Sequence, residues 1–264
     1  MDGKKRSALS KRKKNTKLKS NHKWLKATFV VFVAILFLFF ASLLYLNSLS
    51  DQPNTTGSRA AILDGLYNTR PNSVFTRNLT SILKAAGFHV DLFQGESVTI
   101  DLLRNIRGYE LVILRLHSGI HTDKFLYLFS GEPYTESKYA AEQLSRAVRE
   151  AYPFDEEEAP VFALNSVFLG INNPEGLTGS TIILTGCNGT NDSYAIQRFF
   201  ERGAKAYVSW NGYVDLSYSD SAILMLVRFL YLDGLNLEEA VEKVLKDIGP
   251  DPFYASTMEY YVPA

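Results

Sequence analysis

Cysteine is almost absent from this chain, since Cys187 is the only one in 264 residues. A single thiol cannot form an internal disulfide, so the folded part must be held together by its hydrophobic core. The thiol is either a small buried apolar side chain or a reactive group, and the count alone leaves both interpretations open. Histidine is also scarce, with four residues, and no second cysteine stands at metal-ligand spacing beside them. The sequence therefore predicts no metal site and no cofactor.

The chain also lacks a net charge, with 28 basic and 28 acidic residues, but the two signs are separated along it. Eleven Lys and Arg residues precede position 27, against one acid, Asp2. The remainder then has 17 basic and 27 acidic residues, a net charge of about −10. Nucleic-acid binding needs a basic face, so this acidic remainder predicts no nucleic-acid partner.

One long apolar run interrupts this polar composition. Residues 27–46 carry no charge over twenty positions, and a helix of that length, at ~1.5 Å per residue, matches the ~30 Å hydrocarbon core of a bilayer. A cleaved signal peptide would have a shorter basic region and a shorter apolar stretch. We therefore predict a transmembrane helix over 27–47, and the positive-inside rule places the basic tail 1–26 in the cytoplasm. Beside a bilayer that tail would contact anionic lipid, although a nucleic acid or an import receptor is the other interpretation.

A single folded domain is expected after this helix. Residues 48–59 are rich in Ser, Asn, Pro and Gly, which is the composition of a flexible linker. Residues 60–264 suffice for one domain with one sizeable core. The predicted location is the cell membrane, crossed once, with this domain outside the cytoplasm.

Strand and helix patterns alternate through the domain. Short apolar runs predict strands at 60–63, 88–93, 111–116, 181–184 and 206–210. Amphipathic patterns between them predict helices at 72–86, 98–106, 193–202, 216–232 and 237–248. An amphipathic pattern also predicts a helix over 136–151. Strands separated by helices indicate an α/β fold with a mainly parallel sheet that is covered on both faces.

Two segments that carry reactive side chains each follow a predicted strand. His117, Ser118 and Gly119 follow the third strand, and Gly186 and Cys187 follow the strand at 181–184. Ligand sites in open α/β sheets collect at this edge, so we expect His117 and Cys187 to face each other. An imidazole within hydrogen-bond reach turns a thiol into a nucleophile. The backbone N–H groups of Gly119 and Cys187 are candidate oxyanion donors.

Other histidines offer alternatives to His117. His121 lies four residues further on and is either the true base or a loop residue. His89 lies inside the second predicted strand, where a hydrogen-bonded structural role is the simpler interpretation. His22 falls in the basic tail.

These motifs resemble the caspase-like cysteine peptidases of clan CD, and most closely their CHAT subgroup. The resemblance rests on an apolar strand followed by His-Ser-Gly, an apolar strand followed by Gly-Cys-Asn-Gly, and the pattern over 198–210 with the helix after it. It covers about 60–248 and is strongest over 181–248. It implies a caspase-like three-layer sandwich, preceded here by one transmembrane helix, with His117 as general base and Cys187 as nucleophile.

The resemblance also implies where specificity resides. In caspase-like enzymes the residue after the first strand often reaches the specificity pocket, and an Asp there accompanies cleavage after basic residues. That position is Asp64 in this chain, with Asp215 and Asp220 as rival pocket acids. An Asp before Gly also commonly caps a turn, so Asp64 has a structural interpretation as well.

The expected function is a membrane-anchored cysteine endopeptidase that cleaves extracytoplasmic protein or peptide substrates, with a preference for basic residues. The alternative is a catalytically inactive caspase-like domain used as a surface binding or signalling module, because a fold alone does not confer activity.

Overall fold

The structure is a computed structural model that describes Val33, Leu36 and residues 57–154, 158–173 and 175–263. The chain divides into two compact units, Met1–Thr56 and Gly57–Ala264. Within the described residues no helix is both long and apolar enough to cross a membrane. The predicted helix over 27–47 lies outside them except for Val33 and Leu36, which are both helical. The predicted tail 1–26 and most of the linker 48–59 also lie outside the described residues.

The second unit alternates strands and helices along the chain. Its strands are β1 (Arg59–Asp64), β2 (His89–Gln94), β3 (Leu111–Arg115), β4 (Ser118–Ile120), β5 (Leu126–Pro133), β6 (Val148–Ala151), β7 (Val161–Asn165), β8 (Thr181–Leu184), β9 (Ala206–Trp210) and β10 (Met258–Tyr261). Its helices are α1 (Ser73–Ala85), α2 (Ile100–Asn105), α3 (Ala140–Leu144), α4 (Ser193–Glu201), α5 (Leu216–Tyr231) and α6 (Leu237–Ile248). Short 3₁₀ turns occupy Gly95–Ser97 and Ser166–Phe168.

The central sheet has six strands in the order β10-β9-β8-β3-β1-β2. All of its neighbouring pairs are parallel except β10 with β9, which is antiparallel. The chain leaves β1 toward β2 and then returns to place β3 on the other side of β1. This reversal creates a crevice at the carboxyl ends of β1 and β3, where ligands bind in open α/β sheets.

Two hydrophobic clusters cover the two faces of the sheet. Alternate residues of β1 divide between them, because successive side chains of a strand point to opposite faces. Ala60 and Ile62 pack with α1, α5 and α6, whereas Ala61 and Leu63 pack with α2, α4 and the second sheet. The unit is therefore a mixed α/β structure with a mostly parallel central sheet, consistent with a three-layer sandwich.

The longer helices have clear local causes. The Asn72 side chain caps α1 by accepting a hydrogen bond from the Phe75 N–H, at 3.0 Å. Phe75, Leu79 and Leu83 recur every four residues and are fully buried. Gly87 follows the helix with φ at +88°, a conformation that glycine adopts at low cost. At α6, Asn236 and Glu239 form a reciprocal capping box.

A second sheet occupies the segment between β3 and β8, in the order β4-β5-β7-β6, with every pair antiparallel. The predicted helix over 136–151 is wrong for most of its length. Only Ala140–Leu144 is helical, with no buried residue, and Val148–Ala151 is the edge strand β6. Pairing with β7 and complete burial of Val148 outweigh the helical pattern of the sequence.

Candidate active site

Two loops that follow adjacent parallel strands bring His117 and Cys187 to one side of the sheet. The ladder between β3 and β8 pairs Leu111 with Thr181 and ends with Leu114 opposite Leu184. His117 and Cys187 each lie three residues beyond that last pair. Because the strands are parallel and in register, equal spacing places both residues at the same level above the sheet edge.

A cleft of about 810 Å³ opens above this edge. It is lined by residues that follow β1, β3, β8 and β9, together with Tyr152, Pro153 and Phe154. His117, Ser118, Cys187, Asp215 and Asp220 all line it. The structure therefore brings together both predicted catalytic residues and two of the three candidate pocket acids, Asp215 and Asp220, but not Asp64.

The loop that carries Cys187 is tied to its neighbours by backbone and side-chain bonds. The Ser118 hydroxyl donates to the Cys187 carbonyl at 2.7 Å, which links the cysteine loop directly to the histidine loop. On the other side, the Asn188 N–H donates to the Gly212 carbonyl at 2.8 Å. The Tyr207 hydroxyl donates to the Gly189 carbonyl at 2.9 Å. These bonds fix the position of Cys187 from two directions.

Gly186 precedes the cysteine because the two loops approach too closely for any side chain. A Cβ atom there would lie 2.3 Å from the Ser118 Oγ and 2.5 Å from the Leu116 carbonyl oxygen. Both distances are far below a normal contact. A larger residue before Cys187 would force the cysteine loop away from the histidine loop.

The His117 side chain is partly buried under an aromatic ring. Phe154 packs edge-on against the imidazole, with ring centroids 4.4 Å apart, and the Arg70 guanidinium lies 3.7 Å over the Phe154 ring. Burial, together with the positive charges of Arg70 and Arg115, lowers the pKa of His117 to about 4. Its Nε2 atom is buried without a hydrogen-bond partner among the described residues. At neutral pH the imidazole is therefore uncharged and able to accept a proton.

Cys187 is half-buried and its thiol donates to the Val214 carbonyl, with sulfur and oxygen 3.9 Å apart. Burial raises the pKa of the thiol, and the negative charge of Asp251 also raises it. The described contacts include no hydrogen bond between this sulfur and His117. Cys187 is therefore a protonated thiol at rest and needs a base before it can act as a nucleophile.

Gly119, the predicted oxyanion donor, is paired inside the second sheet. It lies opposite Tyr127. On one side of it the backbone carbonyl of His117 accepts from the Phe129 N–H, and on the other the backbone N–H of His121 donates to the Phe125 carbonyl. Alternation along an antiparallel ladder directs the Gly119 N–H toward β5. Gly119 is also outside the set of described residues that line the cleft.

Ser118 has the opposite orientation to Gly119. Because it occupies the alternate position of β4, its N–H points away from β5, and β4 is an edge strand with no neighbour on that side. Ser118 also lines the cleft. If β4 had been predicted from the sequence, the alternation of N–H directions along a strand would have indicated Ser118, and not Gly119, as the candidate oxyanion donor.

Asp64 is completely buried in an ion cluster beneath the cleft. This buried ion cluster consists of Asp64, Arg115 and Asp220. The Arg115 Nη1 donates to the Asp64 Oδ1 at 2.8 Å, while its Nε and Nη2 donate to the two Asp220 oxygens at 2.8 and 2.9 Å. Both terminal nitrogens also donate to the Arg70 carbonyl, at 3.2 and 3.1 Å. All five N–H groups of Arg115 are therefore used.

The Asp64 carboxylate is thus bound to protein, and Asp64 is not among the described residues that line the cleft. Burial raises its pKa against the opposing pull of Arg115, and its Oδ2 has no described hydrogen-bond partner. The sequence reasoning did not select Arg115, although an arginine inside the apolar run LVILRL is an unusual residue for a buried strand. That anomaly is the signal that would have revealed the cluster.

Asp215 stands at the start of α5, where the cleft opens. Its Oδ1 caps the helix by accepting from the Tyr218 N–H at 3.0 Å, and it also accepts from the Ser217 hydroxyl at 2.5 Å. These hydrogen bonds lower the pKa of Asp215, which is therefore ionised at neutral pH. Asp215 therefore places an ionised carboxylate in the cleft lining, which also contains Arg70, Arg115 and Asp220.

The remaining histidines of the described unit lie away from the cleft lining. The His121 Nδ1 is 3.4 Å from the Asp123 Oδ1, and the His89 Nδ1 is 3.5 Å from the Asp91 Oδ1. Both side chains are largely exposed. Over the described residues, no group of three or more His, Cys, Asp or Glu side chains is arranged to hold a metal ion.

No protein-family model matches the chain, and no curated protein matches it.

Proposed function

We propose that this protein is a cysteine endopeptidase of the caspase-like type, with Cys187 as nucleophile and His117 as general base. His117 takes the thiol proton while the Cys187 sulfur attacks the substrate carbonyl carbon. The C–N bond then breaks, and the leaving amine takes the proton from His117. Water, activated by the same imidazole, hydrolyses the thioester and releases the acid product.

The observation that carries the proposal is the matched position of the two side chains. They follow adjacent parallel strands at equal distance from the last paired residues and line one cleft. The buried Nε2 of His117, which has no described partner, supports it further, because an unpaired buried polar atom is costly and such atoms are frequent at functional sites. The neutral state of His117 suits a general base.

Oxyanion stabilisation is assigned to the backbone N–H groups of Cys187 and Ser118. The sequence favoured Gly119 as the second donor, but the orientation of Ser118 toward the cleft supports Ser118 instead. Two N–H groups on loops joined by the Ser118 to Cys187 bond would keep a fixed spacing, as electrostatic stabilisation of a transition state requires.

A preference for cleavage after basic residues is supported by Asp215 and by the bonding of Arg115. An acidic substrate side chain finds no donor on Arg115, because every N–H of that residue is used. Asp215 is ionised and lines the cleft, whereas Asp64 is bound to Arg115 and does not line it. We expect Asp215→Asn to lower kcat/KM for Arg and Lys substrates about tenfold, with Asp233→Asn, on the surface beyond α5, as the unaffected control.

Membrane anchoring is part of the proposal and rests on the sequence alone. The helix proposed over 27–47 would tether the catalytic unit outside the cytoplasm and confine it to substrates near the membrane. Protease added to sealed cells or vesicles should digest residues 57–264 and spare the tail 1–26. Digestion of the tail alone would refute this orientation.

The test of the catalytic assignment uses the full chain in detergent with fluorogenic peptides that end in Arg, Lys or Asp. Cys187→Ala and His117→Ala should each reduce cleavage at least about a thousandfold, whereas His121→Ala, the matched histidine control, should change it less than twofold. Activity should fall as pH approaches 4, because a protonated His117 cannot accept the thiol proton. An active Cys187→Ala variant would exclude the mechanism.

An inactive binding or signalling module is the second candidate. It is favoured by the absence of a described hydrogen bond between Cys187 and His117, and by the raised pKa of the thiol. If no peptide is cleaved and Cys187 is alkylated no faster than free cysteine, this second function replaces the first.

A further inference from the structure

A second cavity, of about 170 Å³, adjoins the main cleft on the histidine side. His117, Phe129 and Leu66 line both cavities, whereas Cys187 and Asp215 line only the larger one. His117 therefore forms part of the wall between a space that contains the nucleophile and a smaller space that does not.

The walls of the second cavity are mainly apolar. Pro133, Pro153 and Pro160 contribute to them, and proline has no N–H to offer a ligand. The Ser130 hydroxyl is used within the protein, donating to the Phe162 carbonyl at 2.7 Å. Glu96 and Asn68 supply polar groups, and both side chains are exposed. An occupant would meet aliphatic walls inside and a carboxylate near the solvent.

The chemistry of the proposed reaction indicates which part of the substrate would occupy this cavity. The imidazole that accepts the thiol proton must deliver it to the leaving amine. The chain that follows the cleaved bond therefore departs along the histidine side of the site, and the chain before that bond stays with the nucleophile. The second cavity lies where the first residue of the departing chain would place its side chain.

We propose that the second cavity is the subsite for the residue immediately after the cleaved bond, and that it selects an aliphatic side chain of the size of Val or Leu. This inference rests on the proposed peptidase function. The volume admits one aliphatic side chain, the proline-rich walls favour an apolar one, and Glu96 disfavours Asp or Glu.

The experiment measures kcat/KM of the full chain on peptides that differ only in the residue after the cleaved bond, which is Gly, Leu or Asp. A methyl ester with the same acyl part, whose methanol leaving group is too small to fill the cavity, is the reference. We expect Leu to exceed both Gly and Asp about tenfold, which is the discrimination that one apolar pocket provides.

Substitutions in the cavity wall connect that preference to the structure. Ala159→Phe should fill the cavity and reduce the preference for Leu over Gly to less than twofold. Ala141→Phe, at an exposed position on α3, is the matched control and should keep the preference. Val161→Ala should enlarge the cavity and shift the preference from Leu toward Phe, which gives a second readout if Ala159→Phe does not fold.

The outcomes separate the inference from the proposed function. Cleavage of the methyl ester with equal rates for the Gly, Leu and Asp peptides would overturn the subsite and leave the proposed peptidase function intact. Retention of the Leu preference in Ala159→Phe and in Val161→Ala would overturn it too. No cleavage of any substrate would overturn both.

Discussion

Arg115 and His117 lie two residues apart at the end of one strand, yet their surroundings differ in kind. Arg115 is fully buried, and each of its five N–H groups has an acceptor. His117 is partly buried, and its Nε2 has no described partner. Saturated bonding is expected of a group that supports the structure, whereas an unpaired proton acceptor at a cleft is expected of a group that reacts. The contrast separates the supporting part of this site from its reactive part.

Removing the guanidinium of Arg115, whose N–H groups all have acceptors, should have the largest effect on stability. Arg115→Met keeps much of the side-chain shape but leaves Asp64 and Asp220 buried without a cation, so we expect a loss of about 3–5 kcal/mol in the free energy of unfolding. Arg198→Met, which breaks an exposed pair with Glu201, should cost less than about 1 kcal/mol. Urea denaturation measures both. Similar losses for the two variants would contradict the supporting role of the buried ion cluster.

His117 should affect stability through pH, in the opposite sense from a histidine that gains a negatively charged partner. The folded protein keeps His117 neutral down to a pKa of about 4, while the unfolded chain takes up this proton near pH 6.5. Protons therefore favour unfolding as pH falls through this window, and the loss reaches up to about 3 kcal/mol by pH 4.

A variant without the imidazole isolates the contribution of His117 to the pH dependence of stability. His117→Gln removes the titrating group. The difference in free energy of unfolding between wild type and variant should therefore change across pH 6.5 to 4 and stay constant above pH 7.5. Urea denaturation at several pH values measures it. A difference that is independent of pH would mean that the imidazole titrates normally in the folded protein.

Gly186 and Gly119, which lie close to Cys187 and His117 in the chain, should show the smallest difference in stability between two variants. Gly186→Ala places a Cβ against Ser118 and the Leu116 carbonyl, so we expect a loss of about 1–3 kcal/mol together with slower Cys187 chemistry. Gly119→Ala meets nothing within 4 Å and should change stability by about 0.5 kcal/mol or less. Thermal unfolding and peptide cleavage compare them. Equal effects at the two positions would show that the loops separate more easily than their contacts indicate.

Much of the parallel sheet was predictable because its signals are local. The strands at 181–184 and 206–210 and the helix at 237–248 match β8, β9 and α6 at both ends. Short apolar runs separated by capped amphipathic helices have few other ways to fold. The antiparallel sheet was missed because its strands depend on pairing between distant segments. The strand β10 was missed for the same reason, since it exists only through its pairing with β9.

The site was predicted in part, and the division has a physical cause. His117 and Cys187 line one cleft because parallel neighbours end at the same edge, which is a rule of topology. Arg115 lies in that same cleft wall but was not anticipated, because its partners Asp64 and Asp220 are 51 and 105 residues away. Side-chain bonds over such separations leave no mark in local sequence.

By itself, the sequence determined the alternation of strands and helices in the second unit and the presence of one thiol and one histidine after neighbouring strands. Those features follow from hydrophobic periodicity and local capping. Only the tertiary structure decided that Ser118 faces the cleft while Gly119 faces β5, and that Asp64 is bound to Arg115. These outcomes depend on strand pairing and on which buried charges meet, and both are set when distant parts of the chain pack together.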